Sequence, residues 1–249
     1  MAEDLTYALL QGKVYLATRA ANGAQNGGLI WVGDCDKVDI STTQKFDDIE
    51  ESQSGNRNVA AHIPIGTTMA VKVNMLYLSR DNLAIAYMGT ATGPVTGATI
   101  TAEAVTLYNN AVTPLANPGV SAVTVSVGTL GTDYTINATS GFITVLPGSI
   151  AVPAGPGVAA TVNYTFATYA GIVEAFTKQI TEYFLVVEGL NTANGSAPFL
   201  GYFYRVSINL AKMLAMIDSK HAMLEVDGML LPDLTAPVGR SQWFTIAKA

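Results

Sequence analysis

The sequence predicts a mainly β protein: a β-sandwich or barrel with one flanking α-helix and a long β-hairpin, plus an inserted all-β module. Three observations predict it. In residues 200–210, Leu200, Tyr202, Tyr204, Val206, Ile208 and Leu210 take every other position, with Gly201, Arg205, Ser207 and Asn209 between them. That is the period-2 pattern of a strand with one buried face. Residues 79–88 alone change to helical spacing. From Thr90 to Thr168 charge nearly vanishes, with Glu103 and Asp133 but no lysine or arginine, while short alternating runs recur between turn signals. The domains that follow are a discontinuous one of residues 1–90 and 169–249, and an inserted one of 91–168.

In chain order, Val14, Leu16 and Thr18 alternate with Tyr15 and Ala17 in a first strand over 13–19. A Gly/Asn-rich loop over 20–28 leads to 29–32 and 37–40, a strand broken at Gly33 by a bulge or bend. Residues 41–66 are the longest polar stretch and lie between two strands able to pair as a hairpin, because Val71, Val73, Met75 and Tyr77 alternate again. The stretch is either a solvated loop or a protruding arm that orders on a neighbouring subunit. Its length favours a function, since structureless loops beyond about 12–15 residues are uncommon in compact domains. Ser79 is placed to cap the helix, Asp81 suits its positive end, Leu83 and Tyr87 and then Ala84 and Met88 share a face, and Gly89 ends it.

The module's runs are 100–108, 120–127, 142–146 and 158–166, separated by Asn109-Asn110, Asn117-Pro-Gly119, Ser140-Gly141 and Pro147-Gly148. The chain then returns through 169–178 to three antiparallel strands at 182–189, 200–210 and 223–231, with Asn194-Gly195 in the first connection, where positive φ is needed. A last strand at 242–246 carries Trp243 and Phe244, expected to dock on the sheet or on a neighbouring subunit.

Charged residues are only 13% of the 249, hydrophobic residues are 49%, and mean hydropathy is +0.32. No run reaches the roughly 18 apolar residues of a spanning helix, so no membrane insertion is expected, and Met1-Ala-Glu-Asp-Leu5 does not open like a signal peptide. The remaining place for the apolar surface is contact between subunits. Net charge is −6 and the pI about 4.8, which excludes a protein that grips nucleic acid but not one past which it slides. One cysteine, Cys35, excludes an intrachain disulfide, and His62 and His221 stand far apart, so no metal and no cofactor is expected.

Asp34, Asp36 and Asp39 lack the glycine turn and distal glutamate of a calcium loop. Asp47-Asp48 and Glu50-Glu51 sit in a segment too polar to raise a catalytic carboxyl. Nucleophile-elbow, phosphate-loop and zinc-hydrolase motifs are missing. Asn137-Ala-Thr139 and Asn194-Gly-Ser196 read as glycosylation sequons with little meaning outside a secreted chain. The sequence names no catalytic residue, and no enzyme is expected.

The last third of the chain resembles phage tail tube (major tail) proteins. It carries a strand ending in Glu188-Gly-Leu-Asn191, a Gly-bearing hairpin, Tyr204-Arg205-Val206, a short apolar segment at 211–217, and a strand at 224–231 closing on Gly228 with an apolar pair after it. The run 131–137, 141–145, 158–164 is similar to a strand–turn–strand unit of several phage virion proteins. The resemblance implies hexameric rings whose inner strands close into a barrel, stacked into a hollow tube through which phage DNA passes without specific binding. It implies as partners other copies of the chain and further tail proteins (tape measure, terminator, distal tail), and assembly in the host cytoplasm into a virion tail.

The same resemblance makes the 41–66 stretch a ring-stacking loop, with Lys45, Asp47, Asp48, Glu50, Glu51, Ser54, Gly55 and Arg57 as its contacts. Asp36, Asp39, Asp47 and Asp48 are expected at the lumen or its rim. Two other readings stand beside it: another ring-forming virion or type VI secretion tube protein, and a carbohydrate-binding or adhesive β-sandwich.

Overall fold

The computed structural model describes residues 7–211, 214 and 222–248. His221 and most of the 211–217 segment therefore lie outside the described residues. Four strands, β1 (Leu10–Arg19), β2 (Gln25–Trp31), β3 (Cys35–Glu50) and β4 (Val59–Met75), lead to helix α1 (Arg80–Ala86) and the two-residue β5 (Thr90–Ala91). Six strands follow: β6 (Thr99–Leu107), β7 (Val112–Pro114), β8 (Val120–Val125), β9 (Tyr134–Asn137), β10 (Phe142–Val145) and β11 (Val158–Phe166). The return comprises β12 (Val173–Glu174), β13 (Glu182–Asn191), β14 (Ala197–Ile208), β15 (Leu224–Leu230) and β16 (Phe244–Lys248). The chain divides into two compact units, one ending at Ala91 and resuming at Val173, the other Thr92–Ile172.

In the first unit one antiparallel sheet runs β2-β1-β13-β14-β15-β4-β3, and β16 pairs with β14. The sheet curls on itself. Leu16 of β1 shares a buried cluster with Val71, Val73 and Met75 of β4, although three strands separate β1 from β4 in the sheet order. Leu185, Val206, Val226 and Leu230 complete this barrel-like interior from β13, β14 and β15. In β14 the expected alternation holds only in part: Val206 and Ile208 are buried with Ser207 half-exposed between them, but at the register shift opposite Tyr183 and Leu185 the phase slips, so Phe203 enters the core and Tyr202, expected inside, is exposed.

Helix α1 packs Ala86 into the same cluster. Ser79 caps it by accepting from Asn82 N, with Asp81 in the first turn. The helix stops earlier than expected: Tyr87 is its C-cap, and Met88, not Gly89, takes the left-handed turn at φ 47°. Gly89 is required for another reason, because a Cβ there would stand 2.4 Å from the Glu174 carbonyl oxygen.

The second unit is a small sandwich of two three-stranded sheets, β7-β10-β9 and β6-β11-β8. Leu107, Ile143, Val145, Val162 and Tyr164 are almost wholly buried between them. Its two carboxylates are used internally. Glu103 accepts from Ala116 N and the Tyr164 hydroxyl, and Asp133 accepts from Thr129 N and Ser149 Oγ.

Candidate assembly surfaces

The polar stretch read as a loop is largely strand. β3 and β4 have 16 and 17 residues and pair in register from Cys35↔Met75 to Glu50↔Val59. Near the barrel, Val38↔Val73 places both side chains against the core, while Ile40, opposite buried Val71, is already exposed. Beyond Thr42↔Met69 no residue of either strand is buried. This two-stranded arm exposes Phe46, Ile49, Val59, Ile63 and Ile65.

Lys45, Asp47, Asp48 and Glu50 lie in its strand, and Glu51, Ser54, Gly55 and Arg57 in its tip. Glu51 organises the tip. Its amide donates to the Asn58 carbonyl at 2.8 Å, and its carboxylate accepts from Ser54 Oγ and Asn58 Nδ2. Gly55 and Arg57 take positive φ, 75° and 49°. The expected loop is therefore a hairpin whose turn is confined to 51–58.

The four acids expected at a lumen fall in different settings. Asp36 is exposed at the start of β3. Asp39 pairs with Lys37 at 2.5 Å and stands opposite Lys72, which contacts Glu225 and is held charged to higher pH chiefly by that hydrogen bond. With Asp227, opposite Lys72 on β15, these side chains form a charged outward face whose members alternate with buried Val71, Val73, Leu224 and Val226. Asp47 and Asp48 are consecutive in a strand, so they point to opposite faces of the arm. A single lining surface takes one of them, not both. Asp48 contacts His62, whose ring stacks on Phe46 at 3.9 Å.

A second outward face, across β2, β1, β13 and β14, has the opposite character. Cross-strand partners line up as Trp31↔Tyr15↔Val186↔Tyr202, then Lys13↔Glu188↔Leu200, then Gln11↔Leu190↔Pro198. A shallow groove of about 760 Å³ runs over β1, β13 and β14. The Tyr15 hydroxyl donates to Glu188 at 2.9 Å, which pushes the phenol up, and the Lys13 ammonium stands 5.7 Å from the Trp31 ring centroid. A sheet with its core on one side usually carries polar residues on the other. This one carries aromatics and aliphatics around the cross-strand pair Lys13 and Glu188.

Trp243 and Phe244 dock on the chain's own sheet. Both pack against the barrel core, the Phe244 and Phe203 rings are 5.6 Å apart, and the Trp243 carbonyl accepts from Tyr204 N at 3.2 Å. Sequence reading missed what locks the segment before them. Arg19 donates to Asp233 at 2.6 Å and Glu182 at 3.3 Å, and Arg205 grips Glu182 at 2.6 and 2.9 Å while donating to the Pro232 carbonyl. The Arg205 hydrogen bonds hold the Glu182 carboxyl below its usual range. For Asp233 burial works upward, and the Thr235 hydrogen bonds with Arg19 outweigh it. The available signal was Arg205 itself, a cation inside the strongest strand of a charge-poor chain.

Among the described residues no group of three or more His, Cys, Asp or Glu is placed to hold a metal, and no helix is long and apolar enough to cross a membrane. Cys35 is half-buried, and burial with the nearby Asp34 charge pushes its thiol up to about 11. No curated protein matches the chain. A family model described as "Protein of unknown function UCP028589" matches residues 7–247, nearly the whole length, and the chain belongs to that family.

Proposed function

We propose that this chain is a structural subunit of a phage tail tube, forming rings that stack into a hollow tube for DNA. The observation that carries the reading is the arm. Two strands of 16 and 17 residues extend past the core they start from and expose five bulky apolar side chains. An isolated two-stranded ribbon is marginal in water, so such an arm is built to be covered. Edge strands support the same reading: β2 and β3 end the sheet order, and an open edge is normally shielded or completed by another strand. The charged face of β3, β4 and β15 suits a wet bore, and the net charge of −6 lets DNA pass without counterion-driven binding. Its partners are then further copies of itself and the proteins that start and end a tail, and its place is the virion.

Sedimentation velocity on the purified chain over a wide concentration range tests the reading. Species far above the 26.1 kDa chain that grow with concentration are expected. One 26.1 kDa boundary at every concentration contradicts it.

A further inference from the structure

We infer that the Asn194-Gly195 step is a self-modifying site, at which the glycine nitrogen attacks the asparagine side chain and converts residue 194 to isoaspartate and aspartate. The reaction goes beyond the tube reading and holds whether or not copies of the chain assemble. Glycine after asparagine leaves the attacking nitrogen unhindered, because no Cβ stands beside it. The chain has three such steps, Asn22-Gly23, Asn26-Gly27 and Asn194-Gly195, and the fold treats them differently.

At Asn22 both reacting groups are held. Gly23 N donates to the Ala20 carbonyl at 2.9 Å, and the Asn22 side-chain carbonyl accepts from Ala24 N at 3.1 Å. Gly23 is also wedged in place, since a Cβ on it would stand 2.1 Å from Thr235 Oγ1. Asn26 belongs to β2 and pairs with Thr18 of β1, whose hydroxyl donates to the Asn26 carbonyl. Swinging the Gly27 nitrogen toward the Asn26 side chain breaks that pairing. Residue 194 sits in the turn 192–196 between β13 and β14, where Gly195 and Ser196 take φ 53° and 60°. Among the described residues neither the Asn194 side chain nor Gly195 N has a hydrogen-bond partner, and a Cβ on Gly195 would meet nothing within 4 Å. The turn's own bonds run from Asn194 N to the Asn191 carbonyl at 3.1 Å and from Ala197 N to the Asn194 carbonyl at 2.9 Å, and the second is the one that rotation breaks.

In the reaction the Gly195 nitrogen bonds to Asn194 Cγ as the Cγ–Nδ2 bond breaks. The proton that Gly195 N gives up reaches the departing amide, which leaves as ammonia, and a succinimide ring closes. Water then adds to one of the ring's carbonyls. Opening at the side-chain carbonyl gives aspartate, and opening at the main-chain carbonyl routes the backbone through Cβ and Cγ as isoaspartate. Either product puts a carboxylate where residues 189–204 have no charge and takes the net charge from −6 to −7. The isoaspartate also lengthens the turn that sets Asn191 opposite Ala197.

The test incubates the purified full chain in mildly alkaline buffer, folded and, in parallel, unfolded in urea, with circular dichroism confirming each state. Trypsin separates the sites, because Asn22 and Asn26 fall in the 20–37 peptide and Asn194 in 179–205, and fragmentation in the mass spectrometer locates each amide-to-acid change. In the folded chain, conversion is expected about fivefold or more faster at 194 than at 22 or 26, the factor set by one backbone hydrogen bond that need not break. In urea the three rates are expected to converge. Asn194→Gln, whose longer side chain has to close a larger ring, is expected to remove the acidic species from ion exchange, together with methyl transfer from S-adenosylmethionine by an isoaspartate methyltransferase. Conversion at 194 no faster than at 22 and 26 in the folded chain overturns the inference, as does wild-type methyl acceptance in a folded Asn194→Gln chain. A preference for 194 that is unchanged in urea also overturns it, because the selection then does not come from the fold.

Discussion

Arg19 is the deepest member of the ion-pair cluster, with 5% of its side chain exposed, against 7% for Asp233 and 27% and 29% for Glu182 and Arg205. Removing one partner of a buried pair leaves the other charge uncompensated, so Arg19→Ala is expected to cost about 3–5 kcal/mol in urea unfolding. Arg205→Ala, at a wetter position, is expected to cost less. The same carboxylates set an acid limit. A carboxyl held below its unfolded value contributes stability that is complete above that value, about pH 4, and is lost as pH falls through the folded one. Glu182 and Asp233 are both held low. Stability measured downward from pH 5 should therefore fall more steeply in the wild type than in Glu182→Gln. Cys35, with its thiol pushed up to about 11, should react slowly with a thiol reagent at pH 8 until the chain is unfolded. None of these partnerships is legible in the sequence, because Arg19 meets Glu182 and Asp233 across separations of 163 and 214 residues and no local pattern records them.

The strands that were legible are those with one wet and one dry face. β13, β14 and β15 announce themselves by alternation, and α1 by its Ser79 cap and four-residue spacing. The outer halves of β3 and β4 are wet on both faces, so alternation fails there and a paired hairpin reads as a polar loop. What holds the base of that arm is again tertiary. Gly33 takes φ 90°, and a Cβ on it would stand 1.8 Å from the Tyr77 ring, whose hydroxyl donates to Asp34. Buried Asn82 donates to the Val32 and Tyr77 carbonyls, pinning both chain crossings to α1. Gly33→Ala is expected to lower stability by about 1–3 kcal/mol, from the strained φ alone, plus the cost of displacing Tyr77, as read by thermal unfolding. Replacing 45–66 by Asn-Gly should leave that melting unchanged, because the excised segment contributes nothing to the buried cluster.

At the scale of the whole chain, low charge and high apolar content point to contact between subunits, and the first unit exposes Trp31, Leu190 and Tyr202 on the outward face of β2, β13 and β14. The composition shift at Thr90 marks the inserted sandwich, whose compact unit runs Thr92–Ile172. Its ends leave the first unit side by side, since Thr90↔Glu174 and Ala91↔Val173 are paired. Replacing 92–172 by Asn-Gly is therefore expected to give a shorter chain that folds and assembles as before, checked by circular dichroism and electron microscopy. In the proposed function, the arm is what makes this chain a tube subunit. Negative-stain electron microscopy of the concentrated wild-type protein beside the 45–66 replacement tests it most directly. Tubes with a central hole are expected for the wild type and unstacked rings for the replacement. Small discrete particles for both, or tubes of equal length from both, would contradict it.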